Sequence, residues 1–482
     1  MLKNMSIYGI GGIAAKAIQV LLLPVYTRVL KPADYGSLEL VYMVAAAIAI
    51  LYGFMISSGY LRCYYDSKEQ KHRDLVLGSA FWFTFFCAVL FGLVLLLSAS
   101  EIAGSIFEFE GGELFITLIA FSTAIKAHNY IFYNLLMVRE KAGSYVSINI
   151  VTMLVTMGVT IYFVVFLRWS VRGILLAQII AFGIEFIILS VLLFRRTIFA
   201  YSFSAVREML HFSVPLIPLQ LASFILTMAD RFFLQEYRTL DEVGLYSLGY
   251  KFAAIMPLLV IEPFRAFGPH IFSLIDTPEE CKRTLADFSR YYLAGSLFFA
   301  LAISMFSREV IMVMSDHSYH EGYRVVFLLC LSYVFYGLNS LTGYAINIVK
   351  KNWIISVTWI IAAGVNIALN FVLIPTYGMM GAAAATVISY LIVAVGRLVI
   401  INYVYPIRFA YAAFAGICIC AALVYALSTI AASGIVIPMT IKTILLAMFL
   451  LVVFCSTYFT PEERSKAVEA LRAFFVKTPA SD

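Results

Sequence analysis

The chain has 482 residues, 62% hydrophobic and only 13% charged, with a net charge of +6. A soluble domain carries roughly a quarter charged residues, so this composition excludes a soluble enzyme and makes lipid the solvent for much of the surface. The small positive balance is distributed among the connections of apolar runs, which excludes a nucleic-acid partner and leaves its distribution as the informative quantity.

A membrane helix needs about 20 mostly apolar residues. That rule predicts fourteen spans: 5–29, 39–61, 75–98, 114–137, 145–167, 172–194, 210–234, 244–268, 286–312, 324–348, 353–374, 380–403, 409–431 and 437–459. The first run is too long for a secretory signal and no small-residue cleavage site follows it, so it is expected to remain as a span. Only Arg168, Trp169, Ser170 and Arg172 separate the fifth span from the sixth. Pro215 and Pro218 interrupt the seventh, Pro257, Pro263 and Pro269 recur in and after the eighth, and Gly9, Gly11 and Gly12 loosen the first. Such residues kink membrane helices. Beyond the last span, Ala467, Val468, Leu471, Phe474 and Phe475 share one helical side, which predicts an amphipathic tail helix on the membrane surface over 461–482. The seven cysteines show no metal-type spacing and read as small hydrophobes. There is no GxxxxGK[ST] phosphate loop; no cofactor and no metal are expected.

Lysine and arginine concentrate in cytoplasmic connections. Of 34, 22 fall on the side holding Lys3, Arg62, Arg139, Arg195, Lys350 and the tail, and nine on the other. The first side is expected to be cytoplasmic, with both termini there.

Two stretches repeat one another at an offset of 208. Asp34-Tyr35-Gly36 answers to Glu242-Val243-Gly244, and Phe163 to Leu167 with Gly173 answers to Phe371 to Pro375 with Gly381. A parallel repeat of six spans predicts a transporter made from two related bundles. The expected domains are 1–208 and 209–405, one six-helix bundle each, then two extra helices in 406–460 and the tail 461–482.

Charge inside a span is expensive and normally faces protein or water. Lys16, Lys126 and Glu185 lie near span centres, Lys251 lies about two turns into the eighth span, and Arg28, Asp230 and Arg231 lie near the ends of the first and seventh. Each has a structural reading beside the functional one. The lysines can pair locally or snorkel, Arg28 and Arg231 can anchor helix ends, and Asp230 can balance Arg231. Glu185 can be a counter-ion for a lysine or a proton carrier.

Leu23-Pro24-Val25-Tyr26-Thr27-Arg28-Val29-Leu30 with Ala33-Asp34-Tyr35-Gly36 resembles the opening of bacterial polysaccharide-biosynthesis flippases. These O-antigen-type oligosaccharide flippases belong to the multidrug/oligosaccharidyl-lipid/polysaccharide exporter superfamily. Pro215 to Pro218, Asp230 to Leu234 and Val243 to Ser247 resemble the start of their second half, and Asn370 to Pro375 with Tyr377-Gly378 and Gly381 to Ala383 a later helix turn. The resemblance implies an all-α polytopic membrane protein of about 14 transmembrane helices, with two six-helix bundles in a V and two C-terminal helices. It implies alternating access and transfer of a polyprenyl-pyrophosphate-linked oligosaccharide from the inner to the outer leaflet of the bacterial cell (inner) membrane. Membrane lipids and a polysaccharide polymerase are the further partners. Lys16, Lys126, Lys251, Arg28 and Arg231 would then be cavity cations for the pyrophosphate, while Glu185 and Asp230 would serve ion coupling or charge balance. A peptidoglycan-precursor flippase or a multidrug exporter on the same fold remains the alternative. A membrane glycosyltransferase would need a larger outer loop than these connections provide.

Overall fold

The computed structural model describes residues 22–107, 111–193, 200–265, 267–430, 439–456 and the positions 458, 462, 464 and 465. Lys16, the glycines of the first span and the apolar stripe of the tail lie outside the described residues.

Helix α1 occupies 22–29 and α2 is Pro32–Gly53. Pro32 stands in the first turn of α2, where a missing N–H costs nothing, and Asp34 accepts from the Lys31 N–H at 3.3 Å. Left-handed Phe54 and Met55 end α2, and α3 (Ile56–Asp66) continues the same apolar stretch. Next come α4 (Gln70–Leu97), α5 (Ala99–Ile106), α6 (Gly112–Val138) and α7 (Ala142–Ile161). A π-helical turn at Tyr162–Phe166, with left-handed Arg168 (φ 56°) and Ser170 (φ 46°), divides α7 from α8 (Ser170–Leu193). The narrow break read at 168–172 is therefore a real corner.

Helix α9 (Phe203–Ser213) meets α10 (Ile217–Tyr237) through a tight turn containing Pro215. Helix α11 (Leu240–Ala253) loses regular pairing before Pro257, and the short α12 (Glu262–Arg265) and α13 (Gly268–Ser273) follow. Long helices follow: α14 (Pro278–Met314), α15 (Val326–Ile348), α16 (Trp353–Val404), α17 (Tyr411–Ile430) and α18 (Met439–Cys455).

Among the described residues no strand occurs, and 11 helical stretches are long and apolar enough to cross a membrane. One of them, α16, bends at Gly378 (φ 56°, ψ −134°), where two predicted spans meet. Helix α18, with 17 residues, is the last predicted span, and α1 is the described end of the first. The chain is an all-α, multi-pass membrane protein.

The repeat is visible in the backbone. Ser170 and Gly378, 208 positions apart, both have positive φ, Ser170 at the start of α8 and Gly378 at the bend inside α16.

Two compact units emerge. The first comprises Met1–Leu248, Ile311–Gly322 and Trp359–Ser389; the second comprises Gly249–Val310, Tyr323–Thr358 and Tyr390–Asp482. In the first, Tyr60, Val76, Phe132, Leu136 and Met209 form a buried apolar cluster joining α3, α4, α6 and α9. In the second, Tyr292 donates to the Tyr333 and Val334 carbonyls at 3.2 and 3.1 Å, and Phe327 stacks on Tyr425 with centroids 3.7 Å apart.

Candidate functional site

The site lies in the first unit, where the two repeats meet. A Cβ on Gly36 of α2 would collide with the Leu240 carbonyl oxygen of α11, and one on Gly244 would collide with the Pro32 carbonyl oxygen. Only glycine permits both helices to start this close together. Flanking bonds tie the same end. Arg28 donates to the Val313 carbonyl at 2.9 Å, Tyr319 to Leu30 at 3.1 Å, and the Asp316 N–H to Thr27 at 3.3 Å.

Beside this contact sits a buried polar cluster. Asp230 of α10 is fully buried and accepts from the Tyr246 hydroxyl (2.5 Å), the Thr386 hydroxyl (3.0 Å) and the Asn370 amide (3.0 Å). Asn370 donates also to Asn366 at 3.2 Å, one turn away on α16. Arg231, 1% exposed, turns to other partners. It donates to the Thr227 carbonyl, pairs with Glu39 of α2 at 3.8 Å, and lies 5.6 Å from the Tyr246 ring centroid. Neighbouring in sequence, Asp230 and Arg231 thus face different structures: one a ring of neutral hydrogen-bond donors, the other the first repeat.

As cation ligands Asp230, Asn366, Asn370, Thr386 and Tyr246 would each offer an oxygen, the ligand set of a hard cation. The Asn370 side-chain oxygen is buried without a hydrogen-bond partner. Turning that amide over would present an oxygen to the carboxylate's side instead of a donor. The residues fit a small monovalent ion; a divalent one would want more than one carboxylate.

The other sequence candidates divide. Glu185 of α8 is 5% exposed and is held from α6 by Asn129 (2.6 Å) and by the Tyr133 hydroxyl. Lys126, mid-way along α6, is accessible at the surface, its ammonium 5.2 Å from the Phe182 ring centroid and within electrostatic reach of Glu185. Arg28 is exposed and bound to a carbonyl. Lys251 is half-buried and belongs to the second unit, while Lys16 lies outside the described residues. Among the seven, Lys126 lies within electrostatic reach of Glu185, while Asp230 and Arg231, adjacent in sequence, turn to different partners.

Several residues escaped the sequence reading. Glu39, a lone acid in an apolar stretch, carries the same signal that singled out Lys126 and could have been found by it. Arg397 and Lys442, counted with the connections, are buried in the second unit. Arg397 donates to the Thr358 hydroxyl (2.9 Å) and the Asn339 and Ile355 carbonyls (2.9 and 3.2 Å). Lys442 of α18 pairs with Glu309 of α14 at 2.5 Å and donates to the Met305 carbonyl at 2.6 Å. Between the same two helices runs an open apolar groove of about 560 Å³, lined by Tyr291, Gly295, Phe298, Leu450 and Phe454 among others.

The family model described as polysaccharide biosynthesis protein matches residues 1–275. A Haemophilus influenzae chain described as an uncharacterized membrane protein is 22% identical over 278 residues; the match takes in 56% of this chain and 65% of that one. Among solved structures, "Lipid II flippase MurJ, inward closed conformation" superimposes with a TM-score of 0.74 at 13% identity, covering 98% of this chain and 99% of that one. An inward-facing multidrug resistance MATE family transporter of the MOP superfamily gives 0.68 at 14% identity, over 81% and 95% of the two chains. A MOP superfamily transporter from Pyrococcus furiosus gives 0.56 at 14% identity, over 83% and 95%. The helical order, the repeat corners and these likenesses give the same fold, and the family match settles kinship: this chain belongs to the polysaccharide biosynthesis protein family and has the fold of MurJ and MATE transporters.

Proposed function

We propose that the chain is a transporter and not an enzyme, moving a polyprenyl-pyrophosphate-linked oligosaccharide from the inner to the outer leaflet of the bacterial cytoplasmic membrane. It does so by alternating access of the bundles 1–208 and 209–405. In this reading the positive-inside count turns the end bearing Gly36 and Gly244 outward.

Accessibility of Lys126 is the observation that carries the reading. An ammonium at mid-span is far too costly against hydrocarbon, so it faces a hydrated passage beside α6. There it offers a mobile positive charge to a pyrophosphate, whose own water must be replaced as it crosses. Glu185, behind Lys126 and held by neutral donors, keeps the ammonium local without claiming it in a tight pair. Lys16 and Lys251 are the further cations proposed along the route, while Arg28, spent on the Val313 carbonyl, takes the anchoring role. The prenyl tail stays in lipid. A polysaccharide polymerase is the proposed receiver.

Asp230 and its oxygens are proposed as the coupling site. A bound monovalent cation there would supply a charge that lets the buried carboxylate remain ionised. Tyr246, Thr386 and the two asparagines orient the carboxylate, and their burial excludes water.

The test is flipping of a fluorescent polyprenyl-pyrophosphate oligosaccharide in proteoliposomes, with wild type beside Lys126→Ala. A polyprenyl-pyrophosphate disaccharide-pentapeptide runs in parallel, because the full-length likeness to a lipid II flippase favours that cargo as the second reading. Equal rates for wild type and Lys126→Ala on both lipids would remove the cation model.

A further inference from the structure

We propose that Cys63, Asp66 and Glu208 form a site for one divalent metal ion of the zinc class, and that the ion clips α9 to α3. The inference is independent of the cargo proposed above.

Two packed helices build the site. A Cβ on Gly59 of α3 would collide with the Met209 carbonyl oxygen of α9, and the Gly59 N–H donates to the Ser213 hydroxyl at 3.0 Å. Cys63 and Asp66 follow Gly59 at four and seven residues, on the same side of α3. Glu208 stands next to Met209 on α9. The Cys63 Sγ, an Asp66 carboxylate oxygen and a Glu208 carboxylate oxygen all lie within 4.8 Å of one another. Zinc bonds of about 2.3 Å to sulfur and about 2.1 Å to oxygen set tetrahedral ligands about 3.5 Å apart. Asp66 and Glu208 are exposed, so a small side-chain rotation closes them on an ion.

The thiol is what points to a ligand. Cys63 is only 2% exposed, is not in a disulfide, and has no hydrogen-bond partner among the described residues. One flank packs into the apolar cluster of α3, α4, α6 and α9, which keeps that side of the site dry. Its sulfur meets the two carboxylates instead of a polar partner. The charges that act on it are those of Glu208, Asp66 and Arg62, one negative charge in excess. Arg62 pairs with Asp66 at 3.6 Å, and Glu208 has no ion pair among the described residues.

Binding exchanges a proton for the metal. The Cys63 S–H bond breaks, a sulfur–metal bond forms, and the proton leaves to solvent. Thiolate and two carboxylates then carry three negative charges, matched by two on the ion and one on Arg62. Sulfur among the ligands selects zinc over magnesium and calcium, and three protein ligands leave the fourth position to water. In the orientation read above this end faces the cytoplasm, whose reductants keep a thiol free. Helix α9 leads into α10, the first span of the second repeat, so the clip holds the connection between the repeats against the first.

The test uses the tag-free full chain in detergent with a phosphine reductant, its six other cysteines replaced by alanine. Cobalt(II) is the probe. One equivalent is expected to raise a thiolate-to-cobalt charge-transfer band in the near ultraviolet, and Zn2+ to erase it by displacement. Cys63→Ala is expected to lose the band. Glu208→Gln and Asp66→Asn are each expected to weaken binding about tenfold or more, a loss that even outer partners of a metal can cause. Glu208→His is expected to keep the band, because imidazole is also a zinc ligand. Hydrogen exchange along α9 reads the clip. With Zn2+ at ten times its dissociation constant, exchange is expected to slow about tenfold in the parent and to stay unchanged in Cys63→Ala. Should the six-alanine chain fail to fold, the difference between the chain with all its cysteines and its Cys63→Ala variant gives the same band.

No band, a band that survives Cys63→Ala, or equal binding by Glu208→Gln and the parent would overturn the site. Binding that leaves α9 exchange unchanged would overturn the clip.

Discussion

Gly36 and Gly244 occupy matching places in the two repeats, and each receives a carbonyl from the first turn of the other's helix. Gly36 admits the oxygen of Leu240, Gly244 that of Pro32, and these two are themselves 208 positions apart. The contact is thus a local two-fold: the same interaction made twice, once in each direction. A duplicated sequence meeting itself yields such a pairing when equivalent helix starts face one another.

Filling either glycine therefore has a defined cost. Gly36→Val or Gly244→Val forces the helices apart and is expected to destabilise the chain by about 1–3 kcal/mol, the usual cost of overpacking. Both act on one contact, so the double variant should lose less than the sum of the singles. Melting curves in detergent give the ledger, and labelling at Ser247→Cys should quicken in all three. A single variant with unchanged melting and labelling would show that the helices do not meet as described.

The Glu309–Lys442 pair fastens the last helix. With side chains 15% and 7% exposed, removing one partner strands the other, and Glu309→Gln is expected to cost about 3–5 kcal/mol. Replacing both, Glu309→Leu with Lys442→Met, should restore most of the loss. A double-mutant cycle on melting temperature checks this; additive losses would mean that the pair does not form.

Cation variants should separate by role. Lys126→Ala is expected to lower flipping at least tenfold, roughly 1.4 kcal/mol or more in barrier, and Lys126→Arg to keep most of the rate. Arg28→Ala removes an exposed bond to the Val313 carbonyl at 2.9 Å and should change the rate less than about twofold. Initial rates in proteoliposomes distinguish them. If Arg28→Ala were the more damaging of the two, the assignment of roles would reverse.

One titration outside the spans has a clear sign. The Ser318 N–H and hydroxyl, at 3.0 and 2.8 Å, hold the Asp316 carboxyl below the ordinary carboxylate range. A lowered pKa means that the turn's added stability is complete at neutral pH and fades only as pH falls below about 4. Protection of the Ser318 amide, relative to its intrinsic exchange rate at each pH, should therefore be flat through neutrality and fall in acid, and Asp316→Asn should abolish that acid step.

Much of the fold was legible because hydropathy is a local property. Apolar runs, the break at Arg168 to Arg172 and the proline turn at Pro215 each follow from a short window; among the described residues 11 helical stretches are long and apolar enough to cross, and both the corner and the turn stand where they were read. Pairings across the chain were not legible. Lys442 near a span end reads like a loop residue until Glu309, 133 positions earlier, is placed beside it. Arg397 misleads in the same way, because carbonyls that satisfy it leave no mark in a sequence. At the candidate site the reading found Asp230 and Arg231, with charge balance between the two as the structural alternative to cavity and coupling roles. Neighbours on a helix point about 100° apart, and each went to a different partner.

The bend at Gly378 has a mechanical meaning. A straight helix of 52 residues would reach about 78 Å, more than twice the thickness of a bilayer's interior. The left-handed corner folds that length into two limbs, and Glu242 clamps it by accepting the Met379 N–H at 3.0 Å. With no slack loop between them, the limbs behave as the arms of a bell crank. A push on the arm carrying Asn366 and Asn370 is handed to the arm carrying Thr386, and the pivot is held by the neighbour of Val243 and Gly244.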